Sequence, residues 1–181
     1  MDRIAIFGST CSGKSTFAIN LSELLDIPVY HLDDLFWEAE WKIAPTEIFQ
    51  NQVKDIITKE KWVIDGNYSK VRERILNRVT HAIILNPPLL LILWRLLVRT
   101  LGRSTKIRLG KISRLPSRIE ENEDKEFFFK SFAELAKYAF RFKKRGYKKL
   151  LEEISQILNK ESVVILRRKK NIRKFLSELR F

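Results

Sequence analysis

A single cysteine in 181 residues leaves no partner for a disulfide and no cluster for a cysteine-bound zinc, and it fits a reducing compartment such as the cytoplasm. Glycine and proline are scarce, at 6 and 5, which argues against collagenous, low-complexity and many-turned all-β chains. The N-terminus, MDRIAIFG, lacks a basic stretch followed by a long apolar run, so no signal peptide is expected. Long hydrophobic runs are missing too. The most apolar stretch, 89–94, lies between Pro87–Pro88 and the arginines Arg95 and Arg99. A membrane-spanning helix needs about 20 mostly apolar residues, so a buried helix running to about Leu101 is expected instead, with the prolines in its first turn. Neither His31 nor His81 has a ligand-spaced partner, and both are expected to be packed or surface residues.

Hydrophobic residues are plentiful, at 45%, with 12 Phe and 4 Trp, enough for the core of one domain spanning 1–181. Charge is plentiful and uneven. The net charge is +13, yet residues 1–85 carry −2 and residues 86–181 carry +15. Between Asn86 and Arg118 stand Arg95, Arg99, Arg103, Lys106, Arg108, Lys111, Arg114 and Arg118, with no acidic residue among them. Such a run attracts polyanions (nucleotide phosphates, nucleic acid or anionic lipid) or simply forms a solvated basic face.

Apolar runs at Arg3–Phe7, Val29–Leu32, Trp62–Asp65, Ala82–Leu85 and Ser162–Leu166 read as strands buried on both faces. Helical spacing follows from Lys14, from Thr46 as a cap, from the acidic residues 120–126 to about Lys144 with a break near Gly146, and over roughly 172–180. Residues 102–118 lack clear periodicity and read as an excursion. Strands alternating with helices predict an α/β fold with a parallel sheet covered on both faces, and ligands in such folds bind beyond the carboxyl ends of the strands.

Gly8-Ser9-Thr10-Cys11-Ser12-Gly13-Lys14-Ser15, followed by Thr16, matches the phosphate-loop pattern G-x-x-x-x-G-K-[ST] in full, between an expected strand and an expected helix. Its glycines permit torsions that turn successive N–H groups toward an anion, and the helix behind presents its positive dipole end. Lys14 would reach the β- and γ-phosphates and the Ser15 hydroxyl would ligate Mg²⁺. Cys11, at a helix N-terminus, is either an oxidisable thiol or simply a small residue that fits.

Asp65 closes the strand WVID and is the expected carboxylate for the water shell of Mg²⁺, with Gly66 allowing a tight turn. Asp33 and Asp34 are read as the end of the second strand. Asp33 is the expected partner of an acceptor hydroxyl, and Asp34 a helix cap or a supporting group. Phe36, Trp37 and Trp41 either wall an acceptor pocket or belong to the core.

GSTCSGKST, HLDDLFW and WVIDGNYS together resemble the P-loop kinases of small molecules related to adenylate and shikimate kinase, most nearly the topology modulation (FlaR-type) branch, whose D-G-N-Y turn matches Asp65-Gly66-Asn67-Tyr68. The resemblance covers 1–85 and, more loosely, the closing SVVILRRKK and terminal helix. It implies a three-layer P-loop NTPase fold with a five-stranded parallel sheet and a helical, basic lid-like insertion at 102–126, where the sequence departs from the family pattern. Arg95, Arg99 and Arg103 resemble arginines that clamp a transferring phosphoryl group. The expected function is transfer of the γ-phosphoryl group of ATP, with Mg²⁺, to a nucleotide or hydroxylated metabolite. A nucleic-acid-associated NTP-binding protein acting through the basic C-terminal half, and a nucleotide-binding protein with little or no turnover, are the alternatives. The acceptor and the oligomeric state are not legible.

Overall fold

The computed structural model describes residues 1–38, 42–104 and 125–179, and of 100–104 and 125–131 the backbone alone. The apolar run at the start becomes β1 (Arg3–Gly8), buried from Ile4 onward. It lies between β3 (Trp62–Asp65) and β4 (His81–Leu85), parallel to both. Outside these, β2 (Val29–His31) and β5 (Val163–Leu166) complete a sheet of order β2-β3-β1-β4-β5. Burial on both faces explains why the strands read as continuous apolar runs rather than alternating ones.

Alternate residues along each strand feed different cores. Ile4, Ile6, Val63, Ile83 and Leu85 meet Phe17, Ala18 and Leu21 of α1 (Lys14–Leu25), joined by Phe175 and Leu176 of α8 (Lys169–Glu178). On the other face, Ala5, Phe7, Ile64, Ala82 and Ile84 meet Phe49 and Val53 of α3 (Thr46–Thr58), Val71 and Ile75 of α4 (Ser69–Leu76), and Leu150 and Ile154 of α7 (Tyr147–Ile157). The result is three layers, helices–sheet–helices. Two further helices, α5 (Leu89–Ser104) and α6 (Lys125–Arg141), pack against each other.

Several expectations need correction. The second strand stops at His31, and Asp33 and Asp34 stand in the first turn of a short helix, α2 (Leu32–Phe36), not at the strand's end. The chain turns there because Leu32 is buried against the backbone of Gly66. Neither aspartate caps α2, whose cap position is His31; both sit where carboxylates suit the helix dipole. Likewise Pro45, not Thr46, takes the cap position of α3. The prolines 87–88 stand just ahead of α5, with the Pro88 carbonyl accepting the N–H groups of Leu91 and Ile92.

Gly146 breaks nothing. The chain runs helically from α6 through a π-helical turn, Phe142–Gly146, into α7. A Cβ there would sit tightly, 3.0 Å from the buried Phe142 ring. Helix α4 was not anticipated at all. Of the lid-like insertion at 102–126, residues 102–104 belong to α5 and 125–126 to α6, while 105–124 and Trp41 lie outside the described residues.

Candidate active site

The loop between β1 and α1 is bent by three residues with positive φ, namely Gly8, Cys11 (53°) and Gly13 (96°). Gly8 also has no room for a side chain, since a Cβ would lie 2.5 Å from the Leu85 carbonyl oxygen of β4. Torsions of this kind are those by which a loop can turn backbone N–H groups toward an anion at a helix N-terminus. Ser9 and Ser12 are buried, with hydroxyls that lack a partner among the described residues.

Three cations converge on this loop. Lys14 donates to the Ser9 carbonyl at 2.9 Å. Helix α5 crosses the loop and lays Arg95 Nη1 on the Ser12 carbonyl at 3.0 Å and near that of Cys11 at 3.4 Å. One turn on, Arg99 Nη1 lies 3.8 Å from Cys11 Sγ. The spacing of Arg95 and Arg99 thus places both on the loop's side of α5. The Arg103 side chain lies outside the described set. Ser15 and Thr16, in the first turn of α1, are exposed.

Asp65 lies on the next strand, at the sheet edge from which the loop springs, and is in register with Ile6. It is 4% exposed; Oδ2 meets His31 Nδ1 at 3.1 Å, while Oδ1 is buried without a partner. His31 is therefore neither a plain packed residue nor a plain surface one. The hydrogen bond to Asp65 raises its pKa, against the opposing effect of burial. Strand pairing sets this contact, since His31 and Asp65 are register partners. Among the described residues no cluster of three or more His, Cys, Asp or Glu could hold a metal. A buried carboxylate oxygen with no partner among the described residues, on the strand beside the one that carries the loop, is a donor that would fit Mg²⁺, which takes few protein oxygens and fills the rest with phosphate and water.

Asp33 faces a different group. Tyr68 donates to Asp33 Oδ1 at 2.6 Å, and burial followed by this bond pushes the Tyr68 phenol well above its ordinary range. The Trp37 indole also bonds the Tyr68 hydroxyl. Phe36 packs on Tyr68 at 4.6 Å and edge-on against Trp37 at 5.2 Å. Phe36 and Tyr68 lean on the core, whereas Trp37 stays 38% exposed, so the core reading holds for Phe36. Asn67 bonds Tyr138 of α6 and also accepts from Arg72 Nη2 at 3.0 Å. Arg72 Nη1 in turn meets Glu153 of α7 at 2.5 Å.

Sequence reasoning missed the residues at the far end of the same edge. Lys143, held in the π-helical turn, donates to the Asn86 carbonyl at 3.4 Å and to its side-chain oxygen. Burial, then the neighbouring Arg167, lowers its pKa. With Pro88, Arg167 and Arg168 these residues line a hollow of about 420 Å³ beyond β4 and β5. The paired arginines were visible in SVVILRRKK, but nothing in sequence joins them to Lys143.

No family model matches the chain, and no curated protein matches it in sequence. Solved structures do. Shikimate kinase from Acinetobacter baumannii, in complex with shikimate, matches with TM-score 0.54 and 14% identity over 99% of this chain and 90% of that one. Shikimate kinase from Bacteroides thetaiotaomicron matches with TM-score 0.51 and 15% identity over 98% and 95%. The topology modulation branch itself finds no support in these likenesses. What the chain shares with both is their fold: a P-loop kinase fold of the shikimate kinase type, with a five-stranded parallel sheet between helical layers.

Proposed function

We propose that this chain is a phosphotransferase that binds ATP at Gly8–Thr16 and transfers the γ-phosphoryl group to a hydroxyl of a small acceptor beside Asp33. The observation that carries it is the convergence of Lys14, Arg95 and Arg99 on one loop. Each of the two close contacts joins a full charge to a neutral carbonyl, a partner that a phosphate oxygen would outbid.

Phosphoryl transfer asks for positioning and charge neutralisation more than for covalent help. The loop and Lys14 would hold the β- and γ-phosphates, and the hollow at Asn86, Lys143 and Arg168 would take the rest of the nucleotide. Ser15 and Asp65 would hold Mg²⁺, which when bound supplies further neutralisation of the phosphate oxygens. Asp33 would accept the proton of the acceptor hydroxyl. The acceptor oxygen then forms its bond to the γ-phosphorus, and the bond to the β–γ bridging oxygen breaks with its electrons left on ADP. Arg95 and Arg99 would steady the charge on the moving group. A nucleic-acid contact would rest on the basic C-terminal half; the side chains of Arg103, Lys106, Arg108, Lys111, Arg114 and Arg118 lie outside the described residues, and the structural likenesses do not favour that reading.

The test is acceptor-dependent ADP release from ATP and Mg²⁺ across hydroxylated metabolites and nucleotides. Asp33→Asn is expected to lower kcat about 10²–10⁴-fold, with ATP affinity little changed. Unaltered turnover in Asp33→Asn, with any working acceptor, would show that Asp33 does not take the acceptor's proton.

A further inference from the structure

Helix α5 is apolar on more than the side it buries. Ile92 and Leu96 are fully buried, and Arg95 and Arg99 turn to the phosphate loop. Yet Leu90 is 81% exposed, Trp94 62% and Val98 48%, with Leu91 and Leu97 exposed beside them. These five recur three and four residues apart, which sets them along one side of the helix, a different side from the two arginines. One exposed leucine is ordinary, whereas a continuous stripe of large apolar side chains marks a surface that meets something.

Charge narrows what it meets. Residues 86–181 carry +15, and α6, which packs against α5, exposes Lys137 and Arg141. The occupant must therefore offer the stripe an apolar medium and the basic half of the chain a negative field. A second copy would supply the first but bring the same net charge of +13 against it. Nucleic acid would supply the second, but its phosphate backbone gives leucine and valine nothing to bury in. An anionic bilayer supplies both, with negative headgroups over hydrocarbon and a boundary at which tryptophan is favoured. Among the described residues no helix is long and apolar enough to cross a membrane, so the contact is one of lying on the surface. We infer that α5 docks this protein on an anionic lipid surface, with Leu90, Trp94 and Val98 entering the headgroup region and the basic half of the chain held by the lipid charge.

Co-sedimentation of the whole chain with vesicles tests this without nucleotide or acceptor, so its outcome is independent of the phosphotransferase reading. Binding to vesicles of equal parts phosphatidylglycerol and phosphatidylcholine should be at least about tenfold tighter than to pure phosphatidylcholine, since each basic residue near the surface adds to it. Trp94→Ser and Leu90→Ser keep the charge and should each weaken that binding at least about fivefold, through the apolar area they no longer bury. Leu90 is the most exposed of the stripe, so its variant should keep the Tm of the unaltered chain. Equal binding by the variants and the unaltered chain would mean adsorption by charge alone and would overturn the inference, as would equal affinity for the two kinds of vesicle. No binding to anionic vesicles overturns it as well, whether the stripe then serves a second copy, seen as a dimer that Trp94→Ser dissociates, or an acidic protein.

Discussion

Tyr68 and Asp33 are 35 positions apart in sequence and 2.6 Å apart at their oxygens. Because the phenol's pKa is raised, it stays protonated across the physiological range and remains a donor, fixing one carboxylate oxygen and leaving the other for the role proposed above. Tyr68→Phe should therefore lower kcat about tenfold, the value of one hydrogen bond to a charged group, with ATP affinity unchanged; steady-state kinetics and an ATP titration separate the two. His31 gives a test in pH. Its folded pKa lies above the unfolded value because of Asp65, so the pair's contribution to stability is full below about 6.5 and is lost as pH rises through the folded pKa. Melting of His31→Asn and the unaltered protein should differ more at pH 5.5 than at pH 9. An equal difference at both would mean that the pair carries no proton-linked stability.

At the scale of the element, the turns that carry the site are fixed by contact as much as by torsion. Gly66 has φ of 154°, and a Cβ there would lie 2.6 Å from that of Leu32. Gly66→Ala should cost about 1–3 kcal/mol and lower Tm by several degrees in a chain of this size. An unchanged Tm would mean that the β3–α4 turn and α2 are not packed as described. The same contact explains what sequence hid. The phosphate loop was legible because its geometry is set within eight residues, and Asp65 because a strand ends there. The start of α2 was not, since Leu32 leaves the strand direction to bury itself under a turn 34 residues away. Gly146 misled for a related reason: it reads locally as a breaker, while it sits tightly against the Phe142 ring inside a continuing helix. Helix α4 is short and polar in composition, and Val71, Ile75 and Leu76 are too few to announce it before the core is known.

For the whole molecule, the order β2-β3-β1-β4-β5 is what turns scattered residues into a site. It sets β1 and its loop at the centre, the two carboxylate-bearing segments on the β3 side, and Asn86 with Arg167 and Arg168 on the β4–β5 side. Sequence established that five apolar strands exist but not who neighbours whom, because strands buried on both faces carry no mark of their partners. The charge asymmetry was legible too, and part of it now has a place, with Arg95, Arg99 and Lys143 all over the carboxyl edge of the sheet. Among the described residues no helix is long and apolar enough to cross a membrane. The proposed chemistry depends on that central loop receiving a triphosphate. Calorimetric titration with ATP and Mg²⁺ tests it most directly: the unaltered chain should bind with a Kd between about 1 μM and 1 mM, and Lys14→Ala should weaken binding at least about tenfold, roughly one charge-assisted bond. No heat of binding from folded protein, or equal affinity in Lys14→Ala, would contradict it.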